Sequence, residues 1–285
     1  MPEPFVKDGV AVITGGASGI GRAAARQAAA AGMKLALVDV NPTKLAAIAD
    51  ELIAIVGEDN VIAELLDVAD FAALAALASV VEARWNAPTL LMNNAAAFVS
   101  GGAGGILDSN DNWHRLFAVN VLGIVNGVQA FLPGMLAAGH SGVIVDTGSK
   151  QGLTNPPGNP AYNTSKAAVN AYTQNLARDL RDRPGCRISA YLLIPGWTTT
   201  GDAEPRPDAW MPEQVIDFMA EAIRADRFFI LCPDGETTHE IDRKRLYWNA
   251  LDILLDRPAL SRWHPDYREE FAAFMQRALP PELGE

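Results

Sequence analysis

Short apolar runs alternate with longer, Ala-rich segments along most of the chain. The short runs are rich in Leu and β-branched residues and are bounded by turn-forming residues, which is typical of buried strands. Seven strands are predicted: Val10 to Ile13, Leu35 to Val38, Val61 to Leu66, Thr89 to Met92, Val143 to Asp146, Ile188 to Ile194 and Phe228 to Leu231. Because these runs are almost continuously apolar, they predict a parallel sheet covered on both faces.

The longer segments predict crossover helices, several of them preceded by Asn, Asp or Pro and ending near Gly. They are Gly21 to Ala31, Thr43 to Val56, Phe71 to Trp85, Asn112 to Ala138, Ala161 to Arg181 and Pro212 to Ala225. Strands that alternate with helices in this way indicate an α/β fold with a doubly wound parallel sheet.

The pattern changes after Leu231. Two amphipathic helices are predicted there, Glu236 to Leu255 and Pro265 to Leu279, joined by an apolar segment around Pro258. The chain has no low-complexity linker and no internal repeat, so we predict a single domain over residues 1–285. Its core spans about residues 6–232 and its C-terminal helical extension about 233–285.

The charge balance excludes some partners. Lys and Arg number 23 against 34 Asp and Glu, which gives a formal net charge of −11. This charge opposes attraction to nucleic acid and to anionic membranes, so neither is expected as a partner. The first residues lack the basic-then-apolar pattern of a signal peptide, and a cytoplasmic location is therefore expected. The four histidines are scattered, so no metal site is expected.

A glycine-rich segment, Thr14 to Gly21, directly follows the first predicted strand. Glycines at 15, 19 and 21 allow a tight turn and a close approach of the backbone to a pyrophosphate at the start of the next helix. Asp39 ends the second strand, where a carboxylate would accept hydrogen bonds from ribose hydroxyls and repel a 2′-phosphate. Together they predict a Rossmann-like site for NAD rather than NADP, although either feature alone also occurs in proteins that bind no nucleotide.

Tyr162 and Lys166 lie four residues apart and so share one face of a predicted helix. A free phenol has a pKa near 10 and is a poor base at neutral pH. A neighbouring ammonium would stabilise the phenolate and bring that pKa toward the working range. This spacing alone is common on helix surfaces, but here it follows Asn120 and Ser149 in order, downstream of the glycine segment.

The spacing Gly-x-x-x-Gly-x-Gly followed by Asn120, Ser149, Tyr162 and Lys166 resembles the classical short-chain dehydrogenases/reductases over residues 6 to about 232. The resemblance implies a hydride transfer between a nicotinamide and a carbon bearing an alcohol or ketone. Tyr162 would be the general acid/base, and Ser149 would hold the substrate oxygen. Lys166 would stabilise the phenolate and hold the nicotinamide ribose. Asn120 would kink its helix and hold a water against the lysine.

The same resemblance assigns the cofactor contacts. Asp67 and Val68 would meet the adenine, and the Pro-Gly segment after the sixth strand would meet the nicotinamide and pyrophosphate. Ala96 departs from the Gly that the family has there. The cofactor residues implied are Gly15, Ser18, Gly19, Ile20, Gly21, Asp39, Asp67, Val68, Asn94, Ala95, Tyr162, Lys166, Pro195, Gly196, Thr198 and Thr200.

Ligands of a doubly wound sheet bind at the carboxyl ends of its strands, so loops 97–111, 150–160 and 197–212 are expected to wall the substrate pocket. These loops carry large apolar side chains and few charges, which favours a bulky, hydrophobic ketone or secondary alcohol. The side chains concerned are Phe98, Leu153, Trp197, Trp210 and Met211, and they could instead pack beneath the loops. Ser149, Gln151, Tyr162 and Trp197 are the expected substrate contacts. Arg206 is the one loop cation that could select an anion.

Two other functions share parts of this pattern. An epimerase or dehydratase would use the same Tyr and Lys, but it needs a larger C-terminal domain. A catalytically idle NAD-sensing protein would be expected to lose at least one of the four residues, and all are present. The aromatic tail could close the pocket, contact another subunit or pack on the sheet. Helices 112–138 and 161–181 resemble the pair through which family members associate, so a homodimer or homotetramer is expected.

Overall fold

The computed structural model describes residues 2–98, 105–200, 204, 206–235 and 237–280. Seven parallel strands form one sheet in the order β3-β2-β1-β4-β5-β6-β7. They are β1 (Val10–Thr14), β2 (Lys34–Asp39), β3 (Val61–Leu65), β4 (Leu90–Asn93), β5 (Gly142–Thr147), β6 (Ile188–Ile194) and β7 (Phe229–Leu231). The predicted doubly wound, Rossmann-like sheet is confirmed.

Helices connect these strands, and side-chain caps define several of their starts. The oxygens of Asn41, Asp70, Ser109 and Thr238 accept hydrogen bonds from backbone N–H groups in the first turns that follow. The helices are α1 (Gly19–Ala30), α2 (Pro42–Val56), α3 (Phe71–Trp85), α4 (Asn110–Phe117), α5 (Gly123–Ala138), α6 (Gln151–Thr154), α7 (Pro160–Asp182), α8 (Pro212–Arg224), α9 (His239–Leu254) and α10 (Arg268–Gln276).

Two apolar layers cover the sheet because successive side chains of each strand point to opposite faces. Leu37 packs in the layer formed with α1, α2 and α8. Its neighbour Val38 packs in the layer formed with α3, α5 and α7. Both side chains are fully buried. The chain runs outward from β1 to β3, then returns to β4 on the other side of β1. This reversal opens a crevice at the carboxyl ends of β1 and β4, where a ligand can enter.

The predicted helix over residues 112–138 is interrupted. A π-helical turn, Ala118–Leu122, lies between α4 and α5. By length and apolarity alone, residues 110–138 could cross a membrane. However, Val128, Phe131 and Met135 are buried against the sheet, as in the core helices of soluble proteins.

The C-terminal extension packs around Trp248 of α9, which is 1% exposed. Phe271 and Phe274 of α10 meet its ring edge-on with centroids 5.1 Å away. The Trp248 indole Nε1–H donates to Ser261 Oγ at 2.8 Å, in the short 3₁₀ turn Ser261–Trp263. A second 3₁₀ turn, Pro265–Tyr267, precedes α10. The predicted helix start at Glu236 lies outside the described residues, as does most of the glycine-rich loop at residues 101–105.

Trp248→Ala should lower the free energy of unfolding by about 3–5 kcal/mol, because it leaves a large apolar cavity and removes the indole N–H that donates to the Ser261 hydroxyl. Urea unfolding followed by circular dichroism measures the change. Leu254→Ala on the same helix is the control, since Leu254 is 73% exposed. That control should shift the free energy by no more than about 0.5 kcal/mol. Equal effects of the two substitutions would contradict the packing described.

Candidate active site

The glycine segment folds back on the start of α1. Gly15 and Gly19 have φ of +64° and +51°, a region that favours glycine. A Cβ on Gly21 would lie 2.2 Å from the Gly15 carbonyl oxygen, and a Cβ on Gly15 would lie 2.9 Å from Ala95 Cα. The turn therefore has no room for side chains at these positions. It leaves the first N–H groups of α1 facing the crevice, which suits a phosphate group.

Asp39 and Thr14 hold this turn in place. Asp39 Oδ2 accepts from the Ala17 N–H and Oδ1 from the Asn41 N–H, both at 3.0 Å. Thr14 Oγ1 accepts from the N–H groups of Asn94 and Ala95, at 2.9 and 3.1 Å. The carboxylate that the sequence assigned to cofactor choice thus also anchors the glycine turn, a task that the sequence analysis missed.

A cleft of about 960 Å³ runs along the carboxyl ends of the strands, from Asp39 to Trp263. All the sequence-predicted cofactor residues except Gly21 line this cleft. Gly21 instead packs against the backbone of Gly15 within the glycine turn. The predicted substrate contacts Ser149, Gln151, Tyr162 and Trp197 also line it. Of the four predicted catalytic residues, only Asn120 lies outside the cleft wall, fully buried.

Tyr162 is positioned by α7 at the middle of this cleft. Its side chain is 6% exposed, and the Phe98 ring stacks on it with centroids 5.0 Å apart. Ser149 lines the same cleft. Burial raises the pKa of Tyr162 to about 12, and the Ser149 side chain only partly opposes this effect. At neutral pH the group is therefore a protonated phenol, able to donate a proton.

Lys166 lies one turn further along α7 and is 2% exposed. Its Nζ donates to the Thr147 carbonyl oxygen at 2.7 Å and lies 5.8 Å from the centroid of the Tyr162 ring. Burial lowers the pKa of Lys166 to about 8, while Asp146 acts in the opposite direction. The expected lowering of the Tyr162 pKa by this ammonium is not seen in this structure, where burial of the phenol dominates.

Asp146 at the end of β5 is the buried counter-charge, and the sequence analysis missed it. Its carboxylate accepts from Asn93 Nδ2 at 2.8 Å and from Thr173 Oγ1 at 2.9 Å. Burial raises its pKa to about 6, against those hydrogen bonds and the attraction of Lys166. An Asp within an otherwise apolar central strand was the sequence signal, because such a residue needs buried partners.

Asn120 lies in the π-helical turn. Its Oδ1 accepts from the Ala97 N–H at 2.7 Å, and its Nδ2 donates to the Ala97 carbonyl at 3.2 Å and to Ser165 Oγ at 3.1 Å. These bonds join the loop after β4 to α7. They also explain why the helix is interrupted at residues 118–122. A side chain that forms hydrogen bonds with neighbouring segments stabilises a local π-helical bulge. The water that the resemblance assigns to Asn120 stays a prediction.

An ion cluster joins the segment after β5 to the C-terminal extension. Lys150 Nζ lies 3.2 Å from Asp234 Oδ2 and 2.6 Å from Asp242 Oδ2 of α9. Asp234 Oδ2 also accepts from the Trp197 N–H at 3.1 Å, and its Oδ1 accepts from the Thr237 N–H at 2.9 Å. Burial raises the pKa of Asp234, but these donors and Lys150 outweigh it and the pKa is lowered overall. At Asp242 the effect of burial exceeds that of Lys150, and the pKa is raised.

The substrate end of the cleft differs from the one expected. Phe98 and Trp197 line it, but Leu153, Trp210 and Met211 do not. Trp210 packs instead against Phe218, with ring centroids 5.8 Å apart. The cation considered from sequence, Arg206, is exposed, pairs with Asp208 and lies outside the cleft wall. The C-terminal extension contributes three other residues to the cleft wall, namely Arg245, Arg262 and Trp263.

A glycine turn at the sheet's reversal point, with Ser, Tyr and Lys along the same cleft, defines a nucleotide-binding oxidoreductase. The family profile described as short chain dehydrogenase matches residues 9–209. The chain belongs to the short-chain dehydrogenase/reductase family.

The sequence and the structure are similar to those of other proteins over most of the chain. A sulfoacetaldehyde reductase of Chromohalobacter salexigens is 36% identical over 263 residues, which are 90% of this chain and 97% of that protein. The crystal structure of a family member from Burkholderia phymatum in complex with NAD superposes with a TM-score of 0.78 at 34% identity. The superposition covers 90% of this chain and 97% of the Burkholderia phymatum chain. A metagenomic member in complex with NADP has a TM-score of 0.66 at 29% identity, covering 80% of this chain and 98% of its own.

Lys150→Met should destabilise the fold by about 3–5 kcal/mol near neutral pH, since it leaves two buried carboxylates without their cation. Lys150 lowers the pKa of both carboxylates, so its removal raises the folded-state pKa of each, and that of Asp242 is already raised by burial. A carboxylate with a raised folded-state pKa favours folding below its unfolded pKa, and this benefit is lost as pH rises through the folded pKa. The destabilisation should therefore be larger at about pH 8 than at about pH 5, measured by urea unfolding at each pH.

Arg178→Met is the matched control for this experiment. Arg178 pairs with Asp182 at 3.2 Å, and both side chains are more than half exposed. Its loss should cost no more than about 1 kcal/mol. A Lys150→Met variant that is as stable as this control, or whose loss of stability is independent of pH, would contradict the role assigned to the cluster.

Proposed function

We propose that the protein is an NAD(H)-dependent oxidoreductase that interconverts a secondary alcohol and its ketone, with Tyr162 as the general acid/base. The observation that carries this proposal is that Ser149, Tyr162 and Lys166 line the same cleft, with Lys166 one turn from Tyr162 on α7. Two hydroxyls in one cleft can both bind a single substrate oxygen. Proton exchange with that oxygen is the step that an acid/base group must perform.

The residues of the cleft fit a dinucleotide. The glycine turn leaves free N–H groups at the start of α1, where a pyrophosphate would be held. Asp39 lines the cleft at the end of β2 and presents the negative charge that suits ribose hydroxyls. Lys166 and the segment from Pro195 to Thr200 would hold the nicotinamide half. When bound, this cofactor supplies the hydride that is exchanged with the substrate carbon.

Side chains of the protein then donate or accept the proton. In reduction, the protonated Tyr162 hydroxyl donates to the substrate oxygen, while the Ser149 hydroxyl holds that oxygen. In oxidation, the phenolate accepts the alcohol proton, and the Lys166 ammonium beside the ring stabilises the negative charge. Because the pKa of Lys166 is about 8, this ammonium is mostly protonated at neutral pH. Asn120 holds the loop after β4 against α7 and so keeps Tyr162 in place.

The name of one relative favours a second candidate substrate class. The Chromohalobacter salexigens protein is named for the reduction of an aldehyde. An aldehyde and its primary alcohol would use the same proton donor and hydride geometry. Absorbance of NADH at its reduced-nicotinamide band, followed with a panel of ketones, aldehydes and alcohols, tests both classes. The proposal fails if the folded, cofactor-binding protein turns over none of them.

Tyr162→Phe should reduce turnover by about 10²- to 10⁴-fold, because the hydroxyl that exchanges the proton is lost. Affinity for NADH, measured by calorimetry, should stay nearly unchanged. Tyr172→Phe is the control: Tyr172 lies on the same helix, outside the cleft, and its change should leave turnover nearly intact. A Tyr162→Phe variant that keeps more than about a tenth of the wild-type rate would count against the assigned acid/base.

Asp39→Asn should raise the ratio of kcat/KM with NADP to that with NAD by about tenfold or more, since it removes the charge that repels a 2′-phosphate. Asn retains an acceptor for one of the two backbone N–H groups bound by Asp39, so the glycine turn is partly preserved. Asp67→Asn, at another carboxylate of the cleft, should leave the ratio unchanged. A wild-type protein that already prefers NADP would contradict this role of Asp39.

We also propose that two or four copies of the chain associate through α4, α5 and α7, as the family resemblance implies. Leu122, which is 53% exposed between α4 and α5, supports an apolar contact there. Light scattering measures the assembly. A cytoplasmic location, the single-domain organisation, and the lack of nucleic acid or membrane partners stay predictions from the sequence.

A further inference from the structure

One face of helix α9 in the extension contacts the segment that follows Ser149. Asp242 binds Lys150, and Asn249 Nδ2 donates to the Leu153 carbonyl at 3.3 Å. Arg245 lies between them, three residues after Asp242 and four before Asn249, so all three share one helix face. This face therefore covers residues 150–153, which directly follow Ser149. Arg245 lines the cleft and reaches it at the end where the substrate would bind.

Among the described residues, the guanidinium of Arg245 has donors that are not fully used. Its Nη1 makes a long hydrogen bond of 3.4 Å to Thr237 Oγ1, and its Nε is buried without a partner among the described residues. The carboxylate of Asp242 on the same face is 2.6 Å from Lys150 Nζ and is thus already paired. A buried guanidinium N–H without an acceptor is costly, and a ligand oxygen would satisfy it.

Arg262 brings a second guanidinium to the same cleft from the Ser261–Trp263 turn. Its planar group lies 4.6 Å from the Trp263 ring centroid and 5.4 Å from that of Phe271. Burial lowers the pKa of Arg262 to about 10, the positive charge of Arg245 adds to that effect, and the negative charge of Asp242 opposes it. Arg262 therefore remains charged at neutral pH. In the described part of the chain, no carboxylate lies within ion-pair distance of either guanidinium group.

Two like charges that repel each other in a half-buried cleft are stabilised by an anion between them. We propose that Arg245 and Arg262 bind an anionic group of the substrate, so that the enzyme selects carbonyl or alcohol compounds that carry a carboxylate, sulfonate or phosphate. Guanidinium groups suit these oxyanions because their N–H donors match two oxygens at once. This inference rests on the proposed function and names its substrate class. It also gives the extension a role in specificity.

The test compares pairs of carbonyl substrates that differ only in charge, such as a sulfonate against its methyl sulfone and a carboxylate against its amide. The wild-type protein should show kcat/KM at least about tenfold higher for the charged member of one pair. Arg245→Gln and Arg262→Gln should each lower that value by about 10- to 100-fold, mainly through KM, and leave the neutral member nearly unchanged. Arg243→Gln is the control, on an exposed position of α9 outside the cleft, and should change neither.

Calorimetry supplies a readout besides activity. Ethanesulfonate, propionate and inorganic phosphate, titrated into the NADH complex, probe the anion site directly, and binding of at least one should weaken in both Gln variants. NADH affinity should be the same in all variants. A loss of NADH affinity in Arg245→Gln or Arg262→Gln would assign these arginines to the cofactor phosphates and overturn the proposal.

The two proposals fail in different ways. If the wild type turns over charged and neutral members equally, the anion site is wrong while the oxidoreductase function stands. If no carbonyl or alcohol is turned over although NADH binds, the proposed function fails, and the calorimetric titration still decides whether the arginines bind an anion. Thermal melting identifies any variant that has lost its fold, and Arg262→Lys, which keeps the charge, should then retain part of the preference.

Discussion

The active site depends on the burial of one cation, the Lys166 ammonium, at the carboxyl end of β5. Charge at this depth is tolerated only where opposite charge and hydrogen-bond acceptors are close. Asp146 supplies the charge and the Thr147 carbonyl supplies the acceptor. Asn93 and Thr173 in turn bind Asp146, from β4 and α7. Because this network crosses two strands and a helix, it fixes α7 against the sheet, and with it the position of Tyr162 beside Ser149.

Under our proposal, the two ends of the cleft recognise ligands in different ways. At the β1 and β2 end, the backbone of the glycine turn and the carboxylate of Asp39 would provide the contacts. At the other end, side chains from the extension meet the segment that follows Ser149, and Lys150 links the two through Asp234 and Asp242. The common core of the family thus carries the chemistry, while the part of the chain beyond β7 contributes specificity under our proposal.

Local pattern was sufficient to predict the sheet and most helices, and the family resemblance supplied most of the predicted residues along the cleft. Strand and helix periodicity depend on near neighbours, and the glycine turn and the Tyr162–Lys166 spacing are short motifs. Periodicity did not predict the π-helical turn, although the family resemblance implied a kink at Asn120, because the turn depends on a bond between Asn120 and Ala97, 23 residues away. The Lys150 cluster joins residues 84 positions apart, and no periodicity reports such a pairing. The direction of the Tyr162 pKa shift was also missed, because burial is a property of the folded chain.

The two hydrogen bonds that Asp39 accepts from the backbone limit how the proposed cofactor preference could change in descendants of this sequence. Each oxygen of its carboxylate already holds a backbone N–H, one of them in the glycine turn. A substitution that only removes the negative charge also loosens the turn that receives the pyrophosphate. A lineage that came to use a phosphorylated ribose would therefore need a new acceptor for the Ala17 N–H before or together with the loss of Asp39. If Asp39 selects the coenzyme as proposed, single substitutions there would change both coenzyme recognition and the structure of the glycine turn, which restricts how the preference can evolve.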